Sequence, residues 1–192
     1  PFPAVKGVWQ RPTVVNNVET IAAVVPIINE GGEAYAKIGI GKSTGTKLIS
    51  ACGNINKPGV YEIDMTISVE EFIYSDEYCG GIPQGKRLKA CIPGGSSVPI
   101  LPANLLLTTA KGEKRLMNYE SLSDGGFATG SMMGSGGFIV LDEDQCVVKH
   151  TYTLARFYRH ESCGQCSPCR EGTGWMEKIL KKIETGKNLP RL

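Results

Sequence analysis

Long apolar runs are missing from this 192-residue sequence. No stretch approaches the roughly 18 consecutive apolar residues of a membrane-spanning helix, so direct membrane insertion is not expected. Charge imbalance is missing too. With 21 Lys+Arg against 19 Asp+Glu the formal net charge is +2, and no basic run or arm occurs, which argues against nucleic acid as a partner. No signal peptide is visible, and the chain opens on "PFPAVKG" without a methionine, a start that reads as the interior of a longer protein. What is present is a 41% hydrophobic composition, suited to a globular protein with a core, in a length that allows one large or two small domains.

Cysteine is the informative residue. There are seven, an odd count, and three of them, Cys163, Cys166 and Cys169, stand at C-x2-C-x2-C spacing in "HESCGQCSPCREG" (160–172). That pattern points to a reducing compartment and metal chemistry over a disulfide frame. Cys52, Cys79, Cys91 and Cys146 read as inert core residues. Two metals compete for the triplet. His160 would complete H-x2-C-x2-C-x2-C, a Cys3His zinc set. The alternative is a cubane iron–sulfur cluster, which ferredoxins grip with three cysteines at this spacing and a fourth from far away in the chain. Pro168 stiffens the joint, the following helix directs its N-terminal amides towards the sulfurs, and Arg170 adds a positive charge. These features favour an anionic iron–sulfur cluster.

The rest of the chain reads as α+β. From Asn17 the apolar positions Val18, Ile21, Ala22 and Val25 recur at helical spacing, with Asn16 or Asn17 as cap; Pro26 is expected to start a second helical turn and Gly31-Gly32 to interrupt it. "TKLISACG" (46–53) and "GVYEID" (59–64) are strand-like, joined by the turn "NINKPG". "SVEEFIYSDEYCGG" reads as a helix capped by Ser68, with Glu71 as capping-box partner, and "RLKACIPGG" returns to strand. Hairpin, helix and strand make the skeleton of a β-grasp domain, with a core expected around Leu48, Ile49, Val60, Tyr61, Phe72 and Ile92. Residues 96–136 look loop-rich, and "GFIVLD" (137–142) is a buried strand. Two amphipathic helices follow. One places Val147, Leu154, Phe157 and Tyr158 on one face, and the other Trp175, Met176, Ile179, Leu180 and Ile183; the cysteines lie in the joint between them.

"ESCGQCSPCREGTGWM" closely resembles the cluster-binding motif of the NADH-binding flavoprotein of respiratory complex I, its 51 kDa or F subunit. "GVWQRPTVVNNVET", "GTKLISACGNINKPGVYE", "IPGGSSVPILP" and "MGSGGFIVLDEDQCVV" resemble further segments of that family in the same order, so the resemblance covers essentially the whole chain. It implies a fold of three parts: the C-terminal edge of an FMN/NADH-binding domain (1–40), a β-grasp domain of the soluble-ligand-binding type with a loop-rich extension (41–142), and the start of a helical bundle carrying the iron–sulfur motif (143–192). It implies Cys163, Cys166 and Cys169 as ligands of a 4Fe-4S cluster whose fourth cysteine lies beyond Leu192. It implies contacts of Asn16 and Asn17 with FMN and stacking of Phe2 on the NADH adenine, while the family's glycine-rich FMN loop would precede residue 1. The implied function is NADH:quinone oxidoreduction. Electrons pass from NADH through FMN to the cluster and on towards quinone, with other iron–sulfur subunits as partners, at the cytoplasmic side of the inner membrane or the equivalent mitochondrial matrix side. This stretch by itself is expected to be inactive and to lack the cofactors.

Two other readings share these motifs or part of them: the diaphorase component of an NAD-reducing hydrogenase or NAD-dependent formate dehydrogenase, and, from a different class, a zinc-stabilised interaction module. No general acid or base is assigned, and catalytic residues are none. "GIGKSTG" (39–45) is not a P-loop, because the position five residues before Gly41 is Ala36 where a glycine is required. "GSMMGSGG" (130–137) leads into a strand and so lacks the helix N-terminus that binds pyrophosphate; "IPGGSS" reads as turn geometry.

Overall fold

The computed structural model describes residues 2–123 and 130–186. The chain opens as a folded-back segment in which Thr13 N–H donates to Pro3 O at 3.0 Å and Gly7 N–H to Arg11 O at 2.7 Å. Helix α1 (Val18–Glu30) follows. Its start is fixed by Asn17, whose Oδ1 accepts from Glu19 N–H at 2.8 Å, satisfying one of the free amides of the first turn. The helix runs unbroken through Pro26, where a second start is expected from the sequence. No residue of α1 is buried, so the carbonyl that loses its N–H partner to the proline stays within reach of water. Gly31, at φ 93°, ends α1, and the short α2 (Gly32–Tyr35) turns the chain back. The glycine-rich "GIGKSTG" folds as a small antiparallel hairpin of β1 (Gly39–Ile40) and β2 (Ser43–Thr44), with no helix after it, in keeping with its rejection as a phosphate cradle.

The main sheet starts with an antiparallel hairpin, β3 (Lys47–Gly53) and β4 (Gly59–Ile63). Helix α3 (Val69–Tyr74) comes next, its first turn capped by the Ser68 hydroxyl, which accepts from Glu71 N–H at 3.1 Å. Strand β5 (Leu88–Ile92), the two-residue β6 (Leu101–Pro102), helices α4 (Ala103–Leu107) and α5 (Tyr119–Ser123), and strand β7 (Gly137–Asp142) complete the unit. The strand order is β4-β3-β7-β5-β6. Strand β7 runs parallel to β3 and antiparallel to β5, so the last strand lies in the middle, and the α+β class read from the sequence holds. Phe72 and Ile73 of α3 are fully buried against the sheet, with the Phe72 ring edge-on to Phe138 of β7 at 5.2 Å between centroids. Ile49, Phe72 and Ile92 belong to the buried core as expected, but Leu48 and Val60 do not, being 46% and 66% exposed. The period of two along β3 and β4 puts those two on the opposite face.

The loop-rich stretch is more ordered than its sequence suggests. Arg115 is fully buried and donates from Nε to Leu105 O at 2.9 Å, from Nη2 to Thr108 O at 3.0 Å, and from Nη1 to Ser121 O. One guanidinium thus gathers α4, the following turn and α5. "IPGGSS" and the run before β7 interlock: Ser135 N–H donates to Gly94 O at 3.0 Å, and a Cβ at Gly94 would lie 2.2 Å from Met132 O. Residues 124–129 of this stretch lie outside the described residues.

Helices α6 (Val147–Glu161) and α7 (Ser167–Glu184) form an antiparallel pair. Arg159 Nη1 donates to Glu177 Oε2 at 2.5 Å near the joint, and Cys146 Sγ lies 3.5 Å from Glu184 Oε2 at the far end. Tyr158 OH meets Ser96 Oγ at 2.7 Å, tying α6 to the loop after β5. The residues buried in the pair are the small Ala155 and Thr173, while Phe157, Trp175, Met176, Ile179 and Ile183 of the expected apolar faces are exposed.

Candidate metal centre and flavin edge

The three cysteines occupy the joint between α6 and α7. Ser162 closes α6, Gly164 turns the chain at φ 74°, and Cys166 stands at the cap position of α7, followed by Ser167 and Pro168 in its first turn. A side chain at 164 would be strained in this left-handed conformation. Proline suits the first turn because its missing N–H would have no intrahelical partner there. The loop is held by short-range bonds. Gly164 N–H donates to Ser162 Oγ at 3.2 Å, and Arg170 donates to Gly164 O at 2.8 Å, to Ser167 Oγ at 3.2 Å and to Glu171 Oε1 at 3.1 Å. Cys169 Sγ lies 3.3 Å from Ser162 Oγ. Arg170, expected from the sequence to lend charge, also braces the loop. Ser162 and Gly164 carry no separate signal in the sequence beyond the motif.

Cys163, Cys166 and Cys169 are all exposed. Among the described residues no set of three His, Cys, Asp or Glu side chains converges closely enough to hold a metal ion. The triplet shares one joint without closing on a common point. His160 is not gathered with it either; its Nε2 lies 3.9 Å from Glu161 Oε1. As donors the three residues are uniformly soft thiols at a helix N-terminus. They suit an iron–sulfur cluster in type and fall one short of the four it takes. The other cysteines divide. Cys79 and Cys91 are buried as expected, and burial pushes the Cys79 thiol up to about 12 and that of Cys91 well above its usual range. Cys52 and Cys146 are exposed, against the reading of all four as core.

At the other end of the chain, Phe2 lies in a cleft of about 510 Å³ lined also by Pro3, Ala4, Pro12, Thr13, Val14 and Val15. Phe2 is 76% exposed. Val15 leads directly into Asn16 and Asn17, so the cleft and the asparagine pair belong to one continuous segment. Both asparagines are exposed. Asn17 commits its oxygen to the helix cap, and Asn16 stands just ahead of it. Two exposed amides that follow, in sequence, an apolar cleft with an aromatic wall fit one edge of a flavin or nucleotide site, Asn16 offering donor and acceptor together and Asn17 its NH2. Sequence reasoning missed the anchor of this edge. Glu19 reaches the main sheet, where its Oε1 accepts from Leu48 N–H at 2.8 Å and its Oε2 pairs with Lys47 Nζ.

Residues 149–191 match the NADH-ubiquinone oxidoreductase-F iron–sulfur binding region. Over 187 residues, 97% of its length, the chain is 44% identical to the NADH-quinone oxidoreductase F 2 subunit of Rhizobium meliloti (strain 1021), covering 41% of that protein. It is 44% identical to the F subunit of Rickettsia bellii (strain OSU 85-389), covering 42%, and 43% identical to that of Mycobacterium bovis (strain ATCC BAA-935 / AF2122/97), covering 39%. Among solved structures, an NAD+-reducing NiFe hydrogenase in the air-oxidized state superposes on 97% of the chain with a TM-score of 0.74 and 33% identity, over 29% of the hydrogenase chain. The chain spans about two fifths of the length of the curated relatives it matches. Over that span the chain is similar to NADH-quinone oxidoreductase F subunits, and residues 149–191 match the iron–sulfur binding region of such proteins.

Proposed function

We propose that this chain is the cluster-bearing part of an NADH dehydrogenase subunit. In a protein of its relatives' full length, electrons would pass from NADH via FMN to a 4Fe-4S cluster and on towards quinone. The observation that carries this reading is the match of residues 149–191 to an iron–sulfur binding region, falling on the joint where three exposed thiols flank the N-terminus of α7. When bound, FMN supplies a carrier that accepts two electrons together and releases them singly, and the cluster a one-electron carrier. The chain's own residues bind and orient. Cys163, Cys166 and Cys169 would ligate the cluster. Arg170 holds the loop shape through Gly164 O and lends positive charge near the sulfurs. Asn16 and Asn17 would contact the flavin edge, and Phe2 would stack on the nucleotide.

The three-part division at 40 and 142 belongs to the same proposal, as does the β-grasp reading of the middle part, which rests on the hairpin, helix α3 packed on the sheet and the central strand β7 parallel to β3. The partners would be the other iron–sulfur subunits of a multi-subunit complex. No helix among the described residues is long and apolar enough to cross a membrane, in keeping with a peripheral position at the cytoplasmic side of the inner membrane or the matrix side. A diaphorase role in an NAD-reducing hydrogenase is the second reading. It is favoured by the hydrogenase superposition and weighed against by its 33% identity, compared with 44% for the quinone-linked relatives. The experiment is anaerobic mixing of the full-length protein with NADH: the flavin absorption should bleach and quinone analogues should restore it. An unchanged spectrum would sink the dehydrogenase reading.

A further inference from the structure

The start of β3 has an open flank. Ser50 N–H donates to Gly136 O at 2.8 Å, and β7 begins opposite Ser50 at Gly137. Leu48 N–H, two residues earlier, points to the same side, where no strand stands among the described residues. Glu19 fills that place. One carboxylate oxygen accepts the Leu48 N–H at 2.8 Å and the other pairs with the Lys47 ammonium. The Lys47 side chain is only 11% exposed, so without Glu19 a nearly buried cation would stand unpaired. Burial pushes the Glu19 carboxyl up, but the Leu48 N–H and Lys47 outweigh it and hold the group below its ordinary value. The same residue's backbone N–H is held by Asn17 Oδ1 at 2.8 Å. The first turn of α1, which otherwise buries nothing, is therefore fastened to the sheet at the residue that also receives the asparagine cap.

We propose that Glu19 is a positioning residue for Asn16 and Asn17: its lock onto Lys47 and Leu48 N–H fixes where the start of α1 presents the asparagine pair to a flavin. This rests on the flavin-edge reading above. The test uses the full-length protein with FMN as probe and measures FMN dissociation, the flavin visible spectrum and midpoint potential, and the thermal midpoint of each variant. Glu19→Ala should weaken FMN by about tenfold or more, since it removes two charge-assisted bonds, and should shift the flavin potential. Glu19→Gln, whose amide oxygen can still accept from Leu48 N–H, should fall between Glu19→Ala and the wild type. Lys47→Met should act in the same direction although Lys47 lies on the sheet. If Glu19→Ala does not fold, the order of Glu19→Gln and Lys47→Met against the wild type decides. FMN affinity and potential unchanged in folded variants would overturn the inference, as would changes that merely follow the thermal midpoint. Asn16→Ala and Asn17→Ala separate the two levels. If they leave FMN binding intact, the flavin-edge reading itself fails; if they weaken it and the Glu19 and Lys47 variants do not, only the positioning role fails.

Discussion

Seven cysteines in one chain present two chemical populations. Cys79 and Cys91 are buried with raised thiol pKa values, Cys79 to about 12, while Cys146, Cys163, Cys166, Cys169 and Cys52 are exposed, partial burial raising the Cys52 thiol as well. Because the thiolate is the nucleophile, brief iodoacetamide treatment of the metal-free native chain at pH 8 should label the five exposed residues, Cys52 the most slowly because burial raises its thiol, and spare the two buried ones, as read by peptide mass spectrometry. Rapid labelling of Cys79 would contradict its burial beside the α3–sheet core. Glu19 gives a second test at this scale. Its folded pKa lies below the ordinary 4.5, so its contribution to stability is fully present above pH 4.5 and is lost as the pH falls through the lower, folded value. Amide exchange at Leu48 N–H should report this directly, with protection above pH 4.5 that disappears in stronger acid. Protection indifferent to acid would mean that the carboxylate does not hold that amide.

Single elements differ in how plainly they can be read. The Ser68 cap of α3 and the helix on either side of the cysteines follow from local rules, because side chains three or four residues apart decide them. The lock on α1 does not, since it joins residues far apart in sequence. Yet half of it is visible there: in "KLISA" the period of two places Lys47 on the face of Ile49 and Ala51, and a lysine at a buried register requires a counter-ion. Arg115 hides for a similar reason. Next to Lys114 it resembles an ordinary solvated charge, and only the folded α4, the turn after it and α5 supply its carbonyl partners. Arg115→Ala should destabilise the chain by about 3 kcal/mol or more, because three part-buried hydrogen bonds from one guanidinium are lost at once and the fully buried side chain leaves a cavity; denaturant titration measures it. A loss below about 0.5 kcal/mol, the range of ordinary surface substitutions, would contradict the clamp.

At the scale of the whole molecule, the sheet unit carries two chemically distinct attachments: α1 with its asparagine edge, held at Lys47 and Leu48, and the α6–α7 pair with its cysteine joint, held at Ser96. Its class is legible because alternation in "GVYEID" and the apolar run "GFIVLD" mark edge and central strands. Its face assignment is only partly so, since adjacent apolar residues such as Leu48 and Ile49 cannot both point inward. The triplet's spacing marks candidate ligands, but the convergence that binds a cluster is a property of side-chain geometry, and the described residues do not show it. What the joint holds is therefore decisive. It is read by iron, sulfide and zinc analysis, with visible and low-temperature EPR spectra before and after dithionite, on the anaerobically purified full-length protein as wild type, Cys166→Ser and His160→Ala. Iron and sulfide are expected, with a visible band bleached by dithionite and a reduced-state EPR signal, all lost in Cys166→Ser and retained in His160→Ala. A colourless wild type that binds zinc and loses it in His160→Ala would contradict the cluster assignment.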